Sequence, residues 1–475
     1  MDIMHKTPTF GLIVASRGFF NAELAVGVRS GLLRAMERQG FDYVITPQEA
    51  TPCGAIETRE HARLAADLFR RNADKIDGII VVLPNFGDEL GIIQTLEMAR
   101  LDVPVLVQAC DDEIDKLGLT QRRDAFCGKL SVCNNLYQYG IPFTNTSLHT
   151  YPIDSEEFLR DLDFFARVCR VVRGLRSARI GAIGARPAAF QTVRYSEKLL
   201  QTAGITVVPV DLSEIISGAQ SLTAADPAVQ ERVAAIRAYG RIPDHVPQEN
   251  IVKQARLSVT IDRWMEANEC VASAIQCWES IERNYGCAAC LSMAMMGDRL
   301  MPSACEVDVA GAVSMYALLL ASGNPPAFQD WNNNYGTDRN KCLNTHCSNW
   351  PKSFMGCEVE VSNLDVLGAA LGPDRSFGAV KGQVAAGPLT YFRASTDDAC
   401  GTIKAYLGEG EFTADPPGNF QGGAAVWHVP NLQKLLDYLC RNGFEHHVAV
   451  TRGHCADVLH EAITTYMGWD LYHHE

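Results

Sequence analysis

Phe10-Gly-Leu-Ile-Val-Ala15, followed from Glu23 by a helix-spaced run that stops at Gly40, decides the fold class. The first segment is short and almost wholly apolar, as expected for a strand covered on both faces. In the second, Leu24, Val26, Val28, Leu32, Leu33 and Met36 recur at helical spacing as far as Arg38, and a glycine is a favoured helix stop. The alternation continues with a strand at Tyr43–Thr46, a helix at Glu57–Asn72, a strand at Asp77–Leu83, a helix at Glu89–Arg100 and a strand at Val103–Gln108. Such a rhythm specifies a parallel sheet with right-handed crossovers. No GxGxxG follows the first strand, which argues against a dinucleotide site.

A bridging helix over 155–172 leads to a second round of the same pattern. It comprises a strand at Ala178–Ile183, a helix at Thr192–Ala203, a strand at Ile205–Val210, a polar helix at Gln248–Asn268 and an apolar run at Cys270–Cys277. Helices at Cys287–Arg299 and Val307–Leu320 close it. From residue 326 glycine and proline become frequent and helical periodicity disappears. Short β-type segments take over at Cys357–Val361, Phe377–Val384, Leu389–Ser395, Gly401–Leu407, Ala424–Val429 and His446–Thr451, with helices at Asn431–Asn442 and Cys455–Met467. Turn-separated segments of this kind form an antiparallel sheet or barrel. The expected fold is therefore α/β, with two tandem parallel-sheet, Rossmann-like domains at 1–172 and 173–325. A mainly antiparallel, barrel-like β domain with flanking helices follows at 326–475.

The chain has 475 residues, too many for one core. Its 47% hydrophobic and 21% charged residues are ordinary for a globular protein. A net charge of −14 argues against nucleic acid or an anionic membrane as partner. No run reaches the roughly 18 apolar residues that span a bilayer. The start of the chain shows no charged-then-apolar signal pattern, so the 16 cysteines read as reduced thiols of a cytoplasmic protein. Cys287-Ala-Ala-Cys290 stands without a second ligand pair and reads as two helix-buried thiols.

Four stretches of the last third carry the chemistry: Cys305-Glu-Val-Asp308, Gln329-Asp-Trp331, Thr345-His-Cys347 and Glu445-His-His447. Their carboxylates and imidazoles form the mixed O/N donor set of a catalytic divalent-metal site. Glu306 stands in an apolar context, Ala-Cys-Glu-Val-Asp-Val-Ala, and a buried carboxylate needs a partner such as a cation; the alternative is a carboxylate stabilising a helix N-terminus. Asp330 falls in a polar, aromatic-flanked loop, where an Asx-turn is the alternative. His346 lies in another polar loop. His446 and His447 open a β-segment, whose alternation turns them to opposite faces.

In this order and spacing the four stretches resemble the L-fucose isomerase / L-arabinose isomerase superfamily. Thr51-Pro-Cys-Gly-Ala-Ile-Glu-Thr58, Pro84-Asn-Phe-Gly-Asp-Glu89 and Gly184-Ala-Arg-Pro-Ala-Ala-Phe-Gln191 extend the likeness to the fucose-isomerase-like branch and to nearly the whole chain. The resemblance implies metal ligands at Glu306, Asp330, His346 and one of His446 and His447, with His447 favoured. The fucose branch holds its metal by a Glu, an Asp and a His, and the arabinose branch by two Glu and two His; this chain combines the fucose-type Asp330 with arabinose-like histidine motifs. The implied ion is Mn²⁺. The implied reaction interconverts an aldose (a deoxyhexose, pentose or modified hexose) and its ketose through a cis-enediolate, with Glu306 and Asp330 as general base and acid.

The resemblance also implies a homo-oligomer, a trimer or hexamer, whose sites are shared between subunits. Arg17, Asn85 and Phe86, at the carboxyl ends of parallel strands, are the substrate-contact candidates from the N-terminal domain, joined by Gln276 and His446. Arg17 suits a sugar with an anionic tail, since a guanidinium pairs well with carboxylate, phosphate or sulfonate. The competing readings are a cytosolic sugar-binding or sensor protein without catalysis, and a metal-dependent lyase or epimerase.

Overall fold

The computed structural model describes every residue except 1, 2, 5, 119 and 421. The chain divides into two compact units, one of residues 1–173 with 461–468, the other of residues 174–460 with 469–475. Among the described residues no helix is long and apolar enough to cross a membrane.

In the first unit, β1 (Thr9–Val14), β2 (Asp42–Ile45), β3 (Gly78–Leu83), β4 (Val105–Ala109) and β5 (Thr144–Asn145) form a parallel sheet of order β2-β1-β3-β4-β5. Side chains alternate across it. Phe10, Leu12, Val14, Ile80, Val82 and Leu106 enter one core, while Ile13, Ile79, Val81, Leu83, Val105 and Val107 enter the other. That is why these strands read as unbroken apolar runs. The strand order reverses between β1 and β3, and the crevice at the carboxyl ends of such strands is where open α/β sheets take ligands. The expected helix after β1 runs Glu23–Gln39 and ends on Gly40 at φ 68°. A further helix, Ala125–Gln138, has no clear apolar face in sequence. Its Gly128 lies so close to Phe86 that an added Cβ would meet the Phe86 carbonyl oxygen at 1.6 Å. Gly128→Ala is therefore expected to destabilise the protein by ~1–3 kcal/mol through overpacking, read as a lower midpoint in denaturant; an unchanged midpoint would contradict this packing.

The second unit contains two sheets. β6 (Arg179–Ile183), β7 (Thr206–Val210), β8 (Ala272–Ile275) and β9 (Ser303–Cys305) form the second parallel sheet, in the order β7-β6-β8-β9. A nine-stranded sheet follows. Within it, Pro326–Tyr335, Asp338–Thr345, Gly423–His428, Thr402–Phe412, Gly387–Asp397 and His447–Arg452 close on themselves with antiparallel pairings. The barrel-like architecture expected for the last third is thus present, and the chain is α/β as read.

Between the parallel sheet and the barrel lies the helix Val309–Ser322, buried from Val309 to Ala321. Apolar residues all round suit a helix covered on every side. It starts two residues later than the expected Val307, because Glu306 and Val307 turn at φ 61° and 57° before it begins. Two other expectations are corrected. The helix expected over Thr192–Ala203 shortens to Glu197–Thr202. Asp330 lies in the strand Pro326–Tyr335 rather than in a loop; the exposed run Asn332-Asn-Asn334, entered through a register shift after Asp330, disguises this strand.

Candidate active site

All four stretches meet in the second unit. Glu306 follows β9, at the carboxyl end of the parallel sheet. Asp330 is in register with His447 on one neighbouring strand and with Thr345 on the other, so the barrel sets Asp330, His447 and the adjoining His346 side by side. His447 Nε2 is 3.2 Å from Glu306 Oε2, 3.5 Å from Asp330 Oδ1 and 3.4 Å from His346 Nε2. His346 Nε2 is 3.7 Å from Asp330 Oδ1. Glu306, His346 and His447 are buried, and Asp330 is partly open. Glu306 Oε2 and Asp330 Oδ1 are buried atoms that lack an aligned hydrogen bond. The 3.2 Å approach of His447 to Glu306 is thus a charge contact rather than a formed hydrogen bond.

The backbone around Glu306 is strained. Trp278 and Glu279, after β8, adopt φ 52° and 74°, beside the left-handed Glu306 and Val307. Non-glycine residues in this region cost of order 1–3 kcal/mol each and cluster at functional sites. The turn brings the Trp278 indole N–H onto Glu306 Oε1. Burial pushes the Glu306 carboxyl up, but the two imidazoles and the indole N–H outweigh it and hold it below the usual range.

Behind His447 stands a buried ionic chain that was not singled out from sequence. His447 Nδ1 donates to Asp308 Oδ2 at 2.8 Å. Asp308 also receives both terminal nitrogens of Arg393, at 2.6 and 3.1 Å, and caps the Val309 helix through the Gly311 N–H. The helix-end role weighed for Glu306 therefore belongs to Asp308. Arg393 Nε lies 3.3 Å from Glu445 Oε2, and Ser395 donates to Glu445 Oε1 at 2.7 Å. Arg393 and Asp308 are fully buried. Burial alone would raise Asp308, but Arg393 and His447 hold it well below the usual carboxylate range. The available sequence signal was a lone charge inside an apolar run, Val307-Asp-Val309 and Tyr391-Phe-Arg-Ala394.

The two histidines present different faces. With Nδ1–H on Asp308, His447 turns Nε2 into the cluster, the orientation a carboxylate imposes on a metal-binding imidazole. His346 accepts the Cys347 N–H at Nδ1, at 2.7 Å. Its ring proton in the neutral form therefore sits on Nε2, facing Asp330. His446 precedes the strand His447–Arg452, so strand alternation does not govern it. Its ring stays close to that of His447, at 4.2 Å between centroids, with Nε2 3.9 Å from Asp330 Oδ1. The expectation that the pair faces opposite ways is corrected accordingly.

Comparison with known proteins places the chain in a family. Residues 11–176 match the family model for the fucose/sulfoquinovose isomerase N-terminal domain, and residues 344–474 match that for the L-fucose isomerase C-terminal domain. The chain belongs to the fucose isomerase-like family. A sulfoquinovose isomerase from Clostridium sp. (strain MSTE9) is 27% identical over 64% of this chain and 67% of its own length. One from Priestia aryabhattai is 25% identical over 82% of this chain and 83% of its own.

The remaining candidates of this fucose isomerase-like chain group separately. Arg17, Asn85 and Phe86 converge in the first unit, at the switch point between β1 and β3. Arg17 Nε donates to the Gly87 carbonyl at 2.9 Å, its guanidinium stacks 4.3 Å over Phe86, and it pairs with Glu89. Asn85 is buried, donates to Ser16 Oγ at 3.0 Å and accepts the Gly87 N–H. In the second unit, Gln276 Oε1 accepts the Ala185 N–H and its Nε2 donates to Ser280 Oγ, both at 2.8 Å. It braces the loops after β6 and β8 that flank Glu306. Cys287 and Cys290 are free, buried thiols.

Proposed function

We propose that this aldose–ketose isomerase interconverts a hexose bearing a sulfonate at C6 and its ketose, and that it requires a divalent cation, Mn²⁺, held by Glu306, Asp330 and His447. The observation that carries the reading is the pair of buried carboxylate oxygens without an aligned hydrogen bond, Glu306 Oε2 and Asp330 Oδ1, that converge on His447 Nε2 at 3.2 and 3.5 Å. Such oxygens are costly to bury without a cation, and this O/O/N donor set fits Mn²⁺. The sulfoquinovose isomerases among the relatives support the sulfonated substrate.

A bound divalent cation would polarise the sugar carbonyl and offset the charge that builds on O1 and O2. The protein's own groups do the rest. Glu306 takes the C2 proton and returns it to C1: Oε2, facing His447, is its cation donor, and Oε1, which accepts a single N–H from Trp278, keeps a lone pair for the proton. Asp330 manages the proton that moves between O2 and O1. His346 offers Nε2–H to a sugar oxygen; it could ligate through Nε2 only by giving up the Cys347 N–H. Asp308 and Arg393 lock the His447 ring. Arg17, stacked on Phe86, is the sulfonate partner we assign, supplied by a neighbouring copy in a trimer or hexamer; sedimentation showing only monomers under assay conditions would remove that part.

The test is sugar conversion by metal-stripped protein, with and without added Mn²⁺, on sulfoquinovose, L-fucose, D-arabinose, L-arabinose and L-rhamnose. Ketose should form only with metal, and fastest from sulfoquinovose. Equal rates without metal would refute the cation, and preference for an uncharged sugar would refute the sulfonate.

A further inference from the structure

The carboxylate–imidazole cluster adjoins a second group of donors that the isomerase reading leaves unused. Cys305 immediately precedes Glu306, and Cys347 immediately follows His346. Their sulfurs and a ring nitrogen of His346 all lie within 4.8 Å of one another. Cys277 Sγ lies 2.8 Å from Cys305 Sγ. All three cysteines are free thiols, Cys277 and Cys305 buried and Cys347 of intermediate exposure. Clustered free thiols beside an imidazole are the donor set of a soft cation.

We propose that Cys277, Cys305, Cys347 and His346 form a second cation site, for a thiophilic divalent ion such as Zn²⁺, and that its occupation inhibits the isomerase. Cys305, Cys347 and His346 already converge, and Cys277, which groups with Cys305 and Glu306, would complete the Cys₃His set of tetrahedral zinc sites, where Zn–S bonds of about 2.3 Å place two sulfurs about 3.8 Å apart. Cys277 and Cys305 thus part by about 1 Å on binding. Each ligating thiol gives its proton to solvent and no electron moves. His346 would use Nδ1, exchanging the Cys347 N–H for the ion, while Nε2–H stays toward Asp330. A disulfide between Cys277 and Cys305 would leave Cys347 and His346 Nδ1 without a role. Inhibition follows from chain connectivity: the ion pulls on the immediate neighbours of Glu306 and on His346 itself.

The experiment is a titration of the Mn²⁺-loaded protein with Cd²⁺, a spectroscopic stand-in for Zn²⁺, in a phosphine reductant. One tight equivalent should bind with an ultraviolet thiolate-to-metal charge-transfer band. Mn²⁺ should be retained, and isomerase activity should fall in step with the band. Cys347→Ser should reduce the band by about one third, since one of three thiolates is lost. Cys277→Ser with Cys347→Ser should abolish the tight equivalent. No band in the wild type, or an equal band in the variants (binding by exposed Cys127, Cys357, Cys400 and Cys440), would overturn the proposal, as would release of Mn²⁺ on Cd²⁺ binding. The wild-type stoichiometry and Mn²⁺ retention decide the matter even if a variant fails to fold. Neither readout depends on which sugar is the substrate.

Discussion

Glu306→Gln and Asp330→Asn are each expected to lower turnover below about one per cent of wild type, a loss of at least ~2.7 kcal/mol of transition-state stabilisation at 1.36 kcal/mol per decade. Each neutralises one of the two carboxylates that face His447, so each removes a proton-transfer group and a cation donor together. The fold should survive. The amide oxygen introduced by Glu306→Gln would still accept the Trp278 indole N–H that now reaches Glu306 Oε1, and Asp330 is partly open to solvent. The check is steady-state kinetics with saturating Mn²⁺, alongside thermal unfolding. Several per cent of wild-type activity in either variant would remove that residue from the acid–base pair.

The second large effect concerns stability. Arg393→Met should destabilise the protein by about 3–5 kcal/mol, because it leaves Asp308 and Glu445 buried without their cation. For a unit of this size the thermal midpoint should fall by roughly 5–15 °C. Activity should fall as well, since Asp308, released from Arg393, no longer fixes the His447 ring. A midpoint within about 2 °C of wild type would show that the chain from Glu445 to His447 contributes little. The destabilisation should ease in acid. Asp308 is depressed in the folded state, so its ion pair contributes stability above the unfolded carboxylate range, and that contribution is lost as pH falls through the folded value.

The sequence made the parallel sheets legible because buried strands such as Gly78–Leu83 are apolar on both faces, and no helix of comparable length mimics them when glycine and turns bound the run. The four metal-type stretches were legible through a family pattern, with Glu306 further marked by an apolar context. What sequence could not give was register. The alignment of Asp330 with His447 and Thr345 is a property of three paired strands, and two of them are hidden by the polar, asparagine-rich run after Asp330. Arg393 escaped for a related reason: a charged residue in a strand looks solvated until its partners, here Asp308 and Glu445, are seen. Strand alternation misled at His446 because pairing begins one residue later, at His447.

The most direct test of the proposed cation site is a crystal structure of the protein soaked in Mn²⁺, read by anomalous scattering at the manganese edge. One strong peak is expected, bonded to Glu306 Oε2, Asp330 Oδ1 and His447 Nε2, with His346 Nδ1 still on the Cys347 N–H. A peak ligated elsewhere, or no peak at saturating Mn²⁺, would contradict it.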